Sequence, residues 1–156
     1  MSSSRAEREL RAEIVIPAPI ETVWSVLTDL SRMPEWSPEL VRMVPLLPGG
    51  LRVGQQYVGI NRRKLVVWPT RNVVAVLDPC RAMAWDTRSS GARWIYELSP
   101  AGKGTRLVLR RPVPRGVPVL ARLFARLALG GVEQHADELE QGMARTLAGL
   151  SAAVDG

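Results

Sequence analysis

The sequence predicts an α+β fold: a curved antiparallel sheet of about seven strands wrapped on a long C-terminal helix, with two short helices after the first strand. Three observations carry this. Between Leu40 and Pro112 the chain breaks into short apolar or alternating runs separated by Pro, Gly and Asp, the signature of a meander rather than of βαβ units. Ahead of it, Ile20, Val23, Trp24, Leu27 and Leu30 recur at three- and four-residue spacing, which is helical. Behind it, Val132, Leu139, Met143, Leu147 and Leu150 form one apolar stripe with Glu133, Glu140 and Gln141 elsewhere.

The elements follow in order. Residues 11–17 make a first strand. Pro19 suits the first turn of a helix over 20–30, and Asp29 and Ser31 are good capping residues. A short helical turn is expected at Met33 to Trp36, ending before Pro38. Strands are predicted at Leu40–Leu47, Gln55–Lys64, Leu65–Leu77, Ala82–Thr87, Arg93–Leu98 and Thr105–Arg111. Pro48-Gly49-Gly50, Ser89-Ser90-Gly91 and Pro100 to Gly104 are turns. Gly102-Lys103-Gly104-Thr105 lacks the spacing and the following helix of a phosphate loop, so it reads as a hairpin. Val119 to Leu129 is a further helical piece, broken from the last helix by Gly130-Gly131. A single domain is expected across residues 1–156, with 1–10 flexible. A chain of this length buries roughly 70% of its unfolded surface and needs no disulfide or metal to fold.

Composition excludes much chemistry. One Cys (Cys80) allows no internal disulfide, and one His (His135) allows no two-His metal site, so neither metal nor cofactor is expected. Cys80 follows Pro79 in a turn without a nearby His and is not read as a nucleophile. No apolar leader follows the polar first 13 residues, and Val117 to Leu129, broken by Arg122 and Arg126, is too short to span a bilayer. A cytoplasmic location is expected. The formal charge of +6 comes from 21 Lys and Arg against 15 Asp and Glu. It is uneven. Residues 40–77 carry Arg42, Arg52, Arg62, Arg63, Lys64 and Arg71 without an acid, and residues 103–126 carry seven more cations without one. This basic face is either solvated or faces an anionic membrane surface or an acidic protein. Arg115, Arg122 and Arg126 share a helical stripe that reads either as an interfacial lid or as an ordinary amphipathic helix.

The opening segment IVIPAPIETVWSVLTDLSRMPEWSPEL resembles the START-like, helix-grip superfamily (SRPBCC), in its bacterial polyketide cyclase/dehydrase and lipid-transport branch. So do Gly54, Tyr57-Val58-Gly59-Ile60-Asn61, Trp68-Pro69-Thr70, Trp94 to Leu98, Gly104 to Leu107, and the ending Gly142-Met143, Thr146-Leu147 and Leu150. The resemblance covers roughly residues 11–153. It implies a helix-grip fold with a ligand cavity between the sheet and the last helix. It also implies a choice of activities, from lipid carriage to aromatase/cyclase chemistry, because one fold serves many functions. The iron-dependent oxygenase branch needs two His and is excluded here.

The period of two along a strand then groups the candidate site. Tyr57, Gly59, Asn61 and Arg63 share a face; so do Trp68, Thr70, Asn72 and Val74; Met83 and Trp85; Trp94, Tyr96 and Leu98; and Leu107, Leu109 and Arg111. If these faces are the concave one, Asn61, Trp68, Thr70, Asn72, Trp85, Trp94, Tyr96 and Leu109 contact ligand; if not, the Trp residues fill core. From the last helix His135, Leu139 and Met143 would join them. Arg63 and Arg111 would hold an acidic head group or enolate, or else reach solvent at strand ends. Adjacent Arg110 must point the other way, and Asp86 points outside.

The expected function is binding of a hydrophobic small molecule: a lipid, polyketide or aromatic metabolite. One alternative is a cofactor-free polyketide aromatase/cyclase or dehydratase with Tyr57, Arg63 and Arg111 as catalytic groups. A second is an interaction module, such as a co-chaperone or toxin-like regulator. Nucleic acid is disfavoured, since the aromatics are not interleaved with the cations on an exposed face.

Overall fold

The computed structural model describes residues 9–88, 91–112 and 132–155, with backbone alone for 132–138. Among these, the chain runs through strand β1 (Leu10–Ile16), helix α1 (Ile20–Leu27), a 3-10 helix (Leu30–Glu35), strands β2 (Leu40–Pro45), β3 (Gln56–Arg63), β4 (Val66–Asp78), β5 (Ala82–Thr87), β6 (Ala92–Ala101) and β7 (Gly104–Arg111), and helix α2 (Val132–Asp155). All strand pairs are antiparallel, in the order β1-β7-β6-β5-β4-β3-β2. This is the helix-grip arrangement. The predicted helical piece at 119–129 lies outside the described residues.

Boundaries shift where local chemistry differs from the pattern. Pro19 sits one residue before α1 rather than in its first turn, with an extended ψ of 150° and no side-chain cap. The predicted helix over 20–30 stops at Leu27, where Thr28 Oγ1 donates to Trp24 O at 2.8 Å. Residues 30–35 wind instead into the 3-10 helix, which contains Pro34. The β6–β7 hairpin pairs closer to its tip than predicted, with Ala101 opposite Gly104. Pro69 lies inside β4 without breaking it. The β5 partners of β4 begin at Asn72, so the missing Pro69 N–H falls where β4 has no neighbour on that side.

The core lies between the sheet and α1, the 3-10 helix and α2. Leu10 and Ile16 from β1, Val23 and Leu27 from α1, Leu107 and Leu109 from β7, and Met143, Leu147 and Leu150 from α2 are buried together. Gln55, wholly buried, ties down the loop after β2. Its Nε2 donates to Leu47 O and Gly50 O, each at 2.8 Å, and its Oε1 accepts from Leu47 N at 3.2 Å.

The sheet curls. From β7 to β2 is five strand spacings, about 24 Å if flat. Yet the charge of Glu39, just before β2, acts on the guanidinium of Arg111 on β7. A strongly curved sheet brings those two strands within each other's field.

The close approach of α2 to the 3-10 helix depends on Gly149. A Cβ there would lie 2.8 Å from Trp36 Cβ and 3.0 Å from its Cα. Backbone cannot give way as a flexible side chain would, so Gly149→Ala should destabilise the fold by about 1–3 kcal/mol. Urea unfolding followed by Trp fluorescence measures this; an unchanged midpoint would mean the helices separate freely.

Candidate functional site

Register across the sheet decides which side chains share its concave face. Ala12 pairs with Leu109, Leu109 with Tyr96, and Tyr96 with Met83. Trp94 pairs with Trp85, and Trp85 with Val74. Ala92 pairs with Thr87, Thr87 with Asn72, and Asn72 with Tyr57. Thr70 pairs with Gly59, and Trp68 with Asn61. Because facing pairs point the same way, every strand residue singled out from the sequence lies on one surface, the one that carries the core. Arg111 ends that surface on β7 and Arg63 ends it on β3. Leu139 and Met143 of α2 pack against the same core. His135 lies on the α2 backbone, and its side chain is outside the described residues.

Four polar side chains cross β3, β4 and β5 as a ladder. Asn61 Nδ2 donates to Thr70 Oγ1 at 3.1 Å. Asn72 Nδ2 donates to the same oxygen at 3.4 Å. Thr87 Oγ1 donates to Asn72 Oδ1 at 2.6 Å. Gly59 leaves room for this: a Cβ there would stand 2.8 Å from Thr70 Oγ1. The ladder therefore spends much of its hydrogen-bonding capacity on itself.

Arg111 does not. Its side chain is 8% exposed, and its guanidinium stacks over the Trp94 ring at 5.2 Å from the centroid. Its Nε is buried without a hydrogen-bond partner among the described residues. Burial lowers its pKa to about 10, with Glu39 acting in the opposite direction, so it stays charged at neutral pH. An unpaired buried cation is costly unless something satisfies it. Its neighbour Arg110 points outward and is paired twice, to Glu97 at 2.6 Å and to Glu9 at 2.8 Å. Asp86 is likewise outward, held by Arg93 at 2.7 Å.

The two phenols are buried. Tyr96 packs against Trp85 with ring centroids 5.6 Å apart, and burial pushes its hydroxyl well above the ordinary tyrosine range. Burial raises Tyr57 too, against a smaller opposing effect of Arg52. Both are proton donors at neutral pH. No Asp, Glu or His stands on the concave face among the described strand residues, so the donors there lack a matching base.

Two features escaped the sequence reading. The Trp36 indole Nε1 is a second buried donor without a partner among the described residues; only its neighbourhood to α2, through Gly149, reveals this. The clamp by Gln55 carries no motif at all. Separately, a cleft of about 590 Å³ runs along the unpaired edge of β1, lined by Arg11, Glu13, Ile14, Glu140 and Gln141 among others. Its charged walls include none of the concave-face aromatics, and it is not the candidate site.

Known proteins fit this picture. No curated protein sequence matches the chain. A polyketide-cyclase-like protein of Corynebacterium glutamicum, solved by NMR, is 25% identical with a TM-score of 0.66, covering 99% of this chain and 94% of that one. The di-domain ARO/CYC StfQ of the steffimycin biosynthetic pathway is 15% identical with a TM-score of 0.69, and 94% of this chain matches 48% of that one. Ara h 8.0201 is 11% identical with a TM-score of 0.67, covering 94% and 97%. The last two likenesses speak for the fold. The model of the family described as polyketide cyclase/dehydrase and lipid transport matches residues 7–150, and the chain belongs to that family.

Proposed function

We propose that this protein binds a hydrophobic small molecule, such as a lipid, polyketide or aromatic metabolite, between the concave face and α2, with an acceptor oxygen of the ligand on Arg111. The observation that carries this reading is the buried Arg111 guanidinium, stacked on Trp94 with its Nε unpartnered among the described residues. A carboxylate, enolate or polarised carbonyl would meet its fork of donors. Trp68, Trp85, Trp94, Tyr96, Leu109, Leu139 and Met143 supply the apolar and aromatic wall, and Asn61, Thr70 and Asn72 a polar strip across it. Family membership and the shared fold support a ligand-binding role in general terms. The reading takes the chain as one cytoplasmic domain; no described helix is long and apolar enough to cross a membrane.

A second reading is cofactor-free cyclisation or dehydration of a polyketide. Arg111 would stabilise an enolate, Tyr57 would supply a proton, and Arg63 would orient the chain. The protonated Tyr57 phenol, on the same face as Arg111, favours it, although burial makes that proton harder to release. Binding stands first because cyclisation also needs a base, and the described strand residues of the face offer none.

Parinaric acid and its methyl ester separate the roles of charge and greasiness. The acid should bind roughly ten-fold or more tightly than the ester, as a charge-assisted hydrogen bond is worth. Arg111→Met should erase that difference while the ester still binds. Equal affinities for acid and ester in the unaltered protein would overturn the assignment of Arg111. If the second reading holds instead, Tyr57→Phe abolishes cyclised product yet leaves binding intact.

Stability should move the other way. Arg111 has a folded pKa lowered to about 10, below its value in the unfolded chain, so the unfolded state holds more protons above that pH. The charged group therefore costs stability below about pH 10, and the cost fades as pH rises beyond it. Arg111→Met should melt at the same temperature as the unaltered protein or higher at pH 7. The gap should close above pH 10. A marked fall in melting temperature at pH 7 would show Arg111 to be a structural strut.

A further inference from the structure

We infer that the β3–β4 hairpin tip is a docking point for an anionic lipid bilayer, with Leu65 entering the acyl boundary and the surrounding cations meeting lipid phosphates. The tip is a two-residue turn. Arg63 pairs with Val66, and Lys64 holds a left-handed φ of 57° between them. Arg62 Nε donates to Lys64 O at 3.0 Å, which closes the turn. The turn also projects. The β2 partners of β3 end at Asn61 and the β5 partners of β4 begin at Asn72, so the strand pair beyond them stands clear of both neighbours.

What it presents is unusual for a solvated turn. Leu65 is 93% exposed, Val67 60% and Val41, at the start of β2, 53%. Beside them at the tip stand Arg62 and Lys64; Arg42, opposite Ile60, and Arg71, opposite Val58, follow farther back along the same strands, and none of the four is in an ion pair among the described residues. The contrast with the other edge of the sheet is chemical. There Arg93, Arg106 and Arg110 are matched by Asp86, Glu13, Glu97 and Glu9. Residues 40–77 contain no acid to do the same. Glu39, whose backbone oxygen accepts from Arg62 N at 2.7 Å, is the acid next to this stretch; with Arg62, Arg63 and Lys64 the tip keeps a net positive charge, and an anionic surface is its complement.

A bilayer fits better than an acidic protein or a nucleic acid. The apolar group is a single apex on a narrow hairpin, not a groove or a flat patch of the size a protein interface needs. The Trp and Tyr side chains of the sheet face inward, so no aromatic platform is offered to bases. Depth agrees as well. The Arg62–Val67 pair lies two residues below the tip, about 7 Å at the rise of a strand. With Leu65 buried about 5–10 Å into the headgroup and acyl boundary, the flanking cations sit at phosphate level.

The test is co-flotation of the full chain with vesicles. Phosphatidylcholine mixed with phosphatidylglycerol should carry the protein; phosphatidylcholine alone should not, and added salt should weaken capture. Leu65→Asp should lower binding roughly ten-fold or more. Lys64→Gln should lower it about five-fold. Val15→Asp, at an exposed apolar site on β1, should leave it unchanged. Leu65→Asn provides a second, milder variant should Leu65→Asp fail to fold, with near-UV circular dichroism as the check. No capture by the mixed vesicles, or capture by Leu65→Asn and Leu65→Asp equal to that of the unaltered chain, overturns the proposal. Tight binding to soluble polyglutamate or RNA that ignores Leu65 substitution overturns it in favour of a soluble polyanion.

Discussion

Side chains alternate along every strand, and seven strands paired in consistent register turn that alternation into two continuous surfaces. Everything else in the molecule depends on this. Tyr57 meets Asn72, Asn72 meets Thr87, Trp85 meets Trp94, and Tyr96 meets Leu109, so four strands' worth of aromatic and amide groups fall on one side without any long-range motif. A one-residue slip of β7 alone would turn Arg110 inward and Arg111 outward. The slip would break Arg110 from Glu97 and Glu9 and bring a second-rate cation into the interior. The irregularity between Val74 and Val76 absorbs one residue in β4 without reversing the face, because Leu77 again lies opposite Met83.

The same alternation separates charges by purpose. Outward cations on β6 and β7 have outward carboxylates across the strand, which are surface pairs of modest worth but sufficient to quiet the local field. Arg111, inward, has among the described residues the distant pull of Glu39 and the face of Trp94. A chain selected solely for stability would place an apolar side chain there, since an isolated buried charge opposes folding. Retaining a guanidinium at that position makes sense when a ligand atom completes its coordination.

Much of this was legible in the sequence, for definite reasons. The strand faces follow from a period of two that holds wherever no bulge interrupts it, so Trp68, Thr70 and Asn72 could be grouped before any pairing was known. The fold followed from the order of elements, helped by a resemblance spread across the chain. Burial depth was not legible. Arg63 and Arg111 look alike at strand ends, yet Arg111 is enclosed, its strand paired with β1 through Leu10 and its guanidinium lying on Trp94, whereas Arg63 adjoins a projecting turn. Leu65 read as the first residue of a strand, since nothing in its own neighbourhood says that β2 and β5 fall short of it. The Trp36 donor and the Gln55 clamp depend on contacts between segments distant in sequence, which pattern alone does not encode.

Donor excess gives the concave face its chemical bias. Arg111 offers guanidinium hydrogens, and Tyr57 and Tyr96 offer phenol hydrogens held on by burial. Asn72 Oδ1, an obvious acceptor, already receives the Thr87 hydroxyl, and Thr70 Oγ1 receives two amides. A ligand rich in carbonyl or carboxylate oxygen on an apolar frame matches such a surface, whereas a polyol or an amine would leave donors facing donors. Each mismatched pair would strand a buried polar group at a cost of about 1–3 kcal/mol. If the face binds ligand as proposed, selectivity rests less on the shape of the aromatic wall than on the donors that outnumber the acceptors beside it.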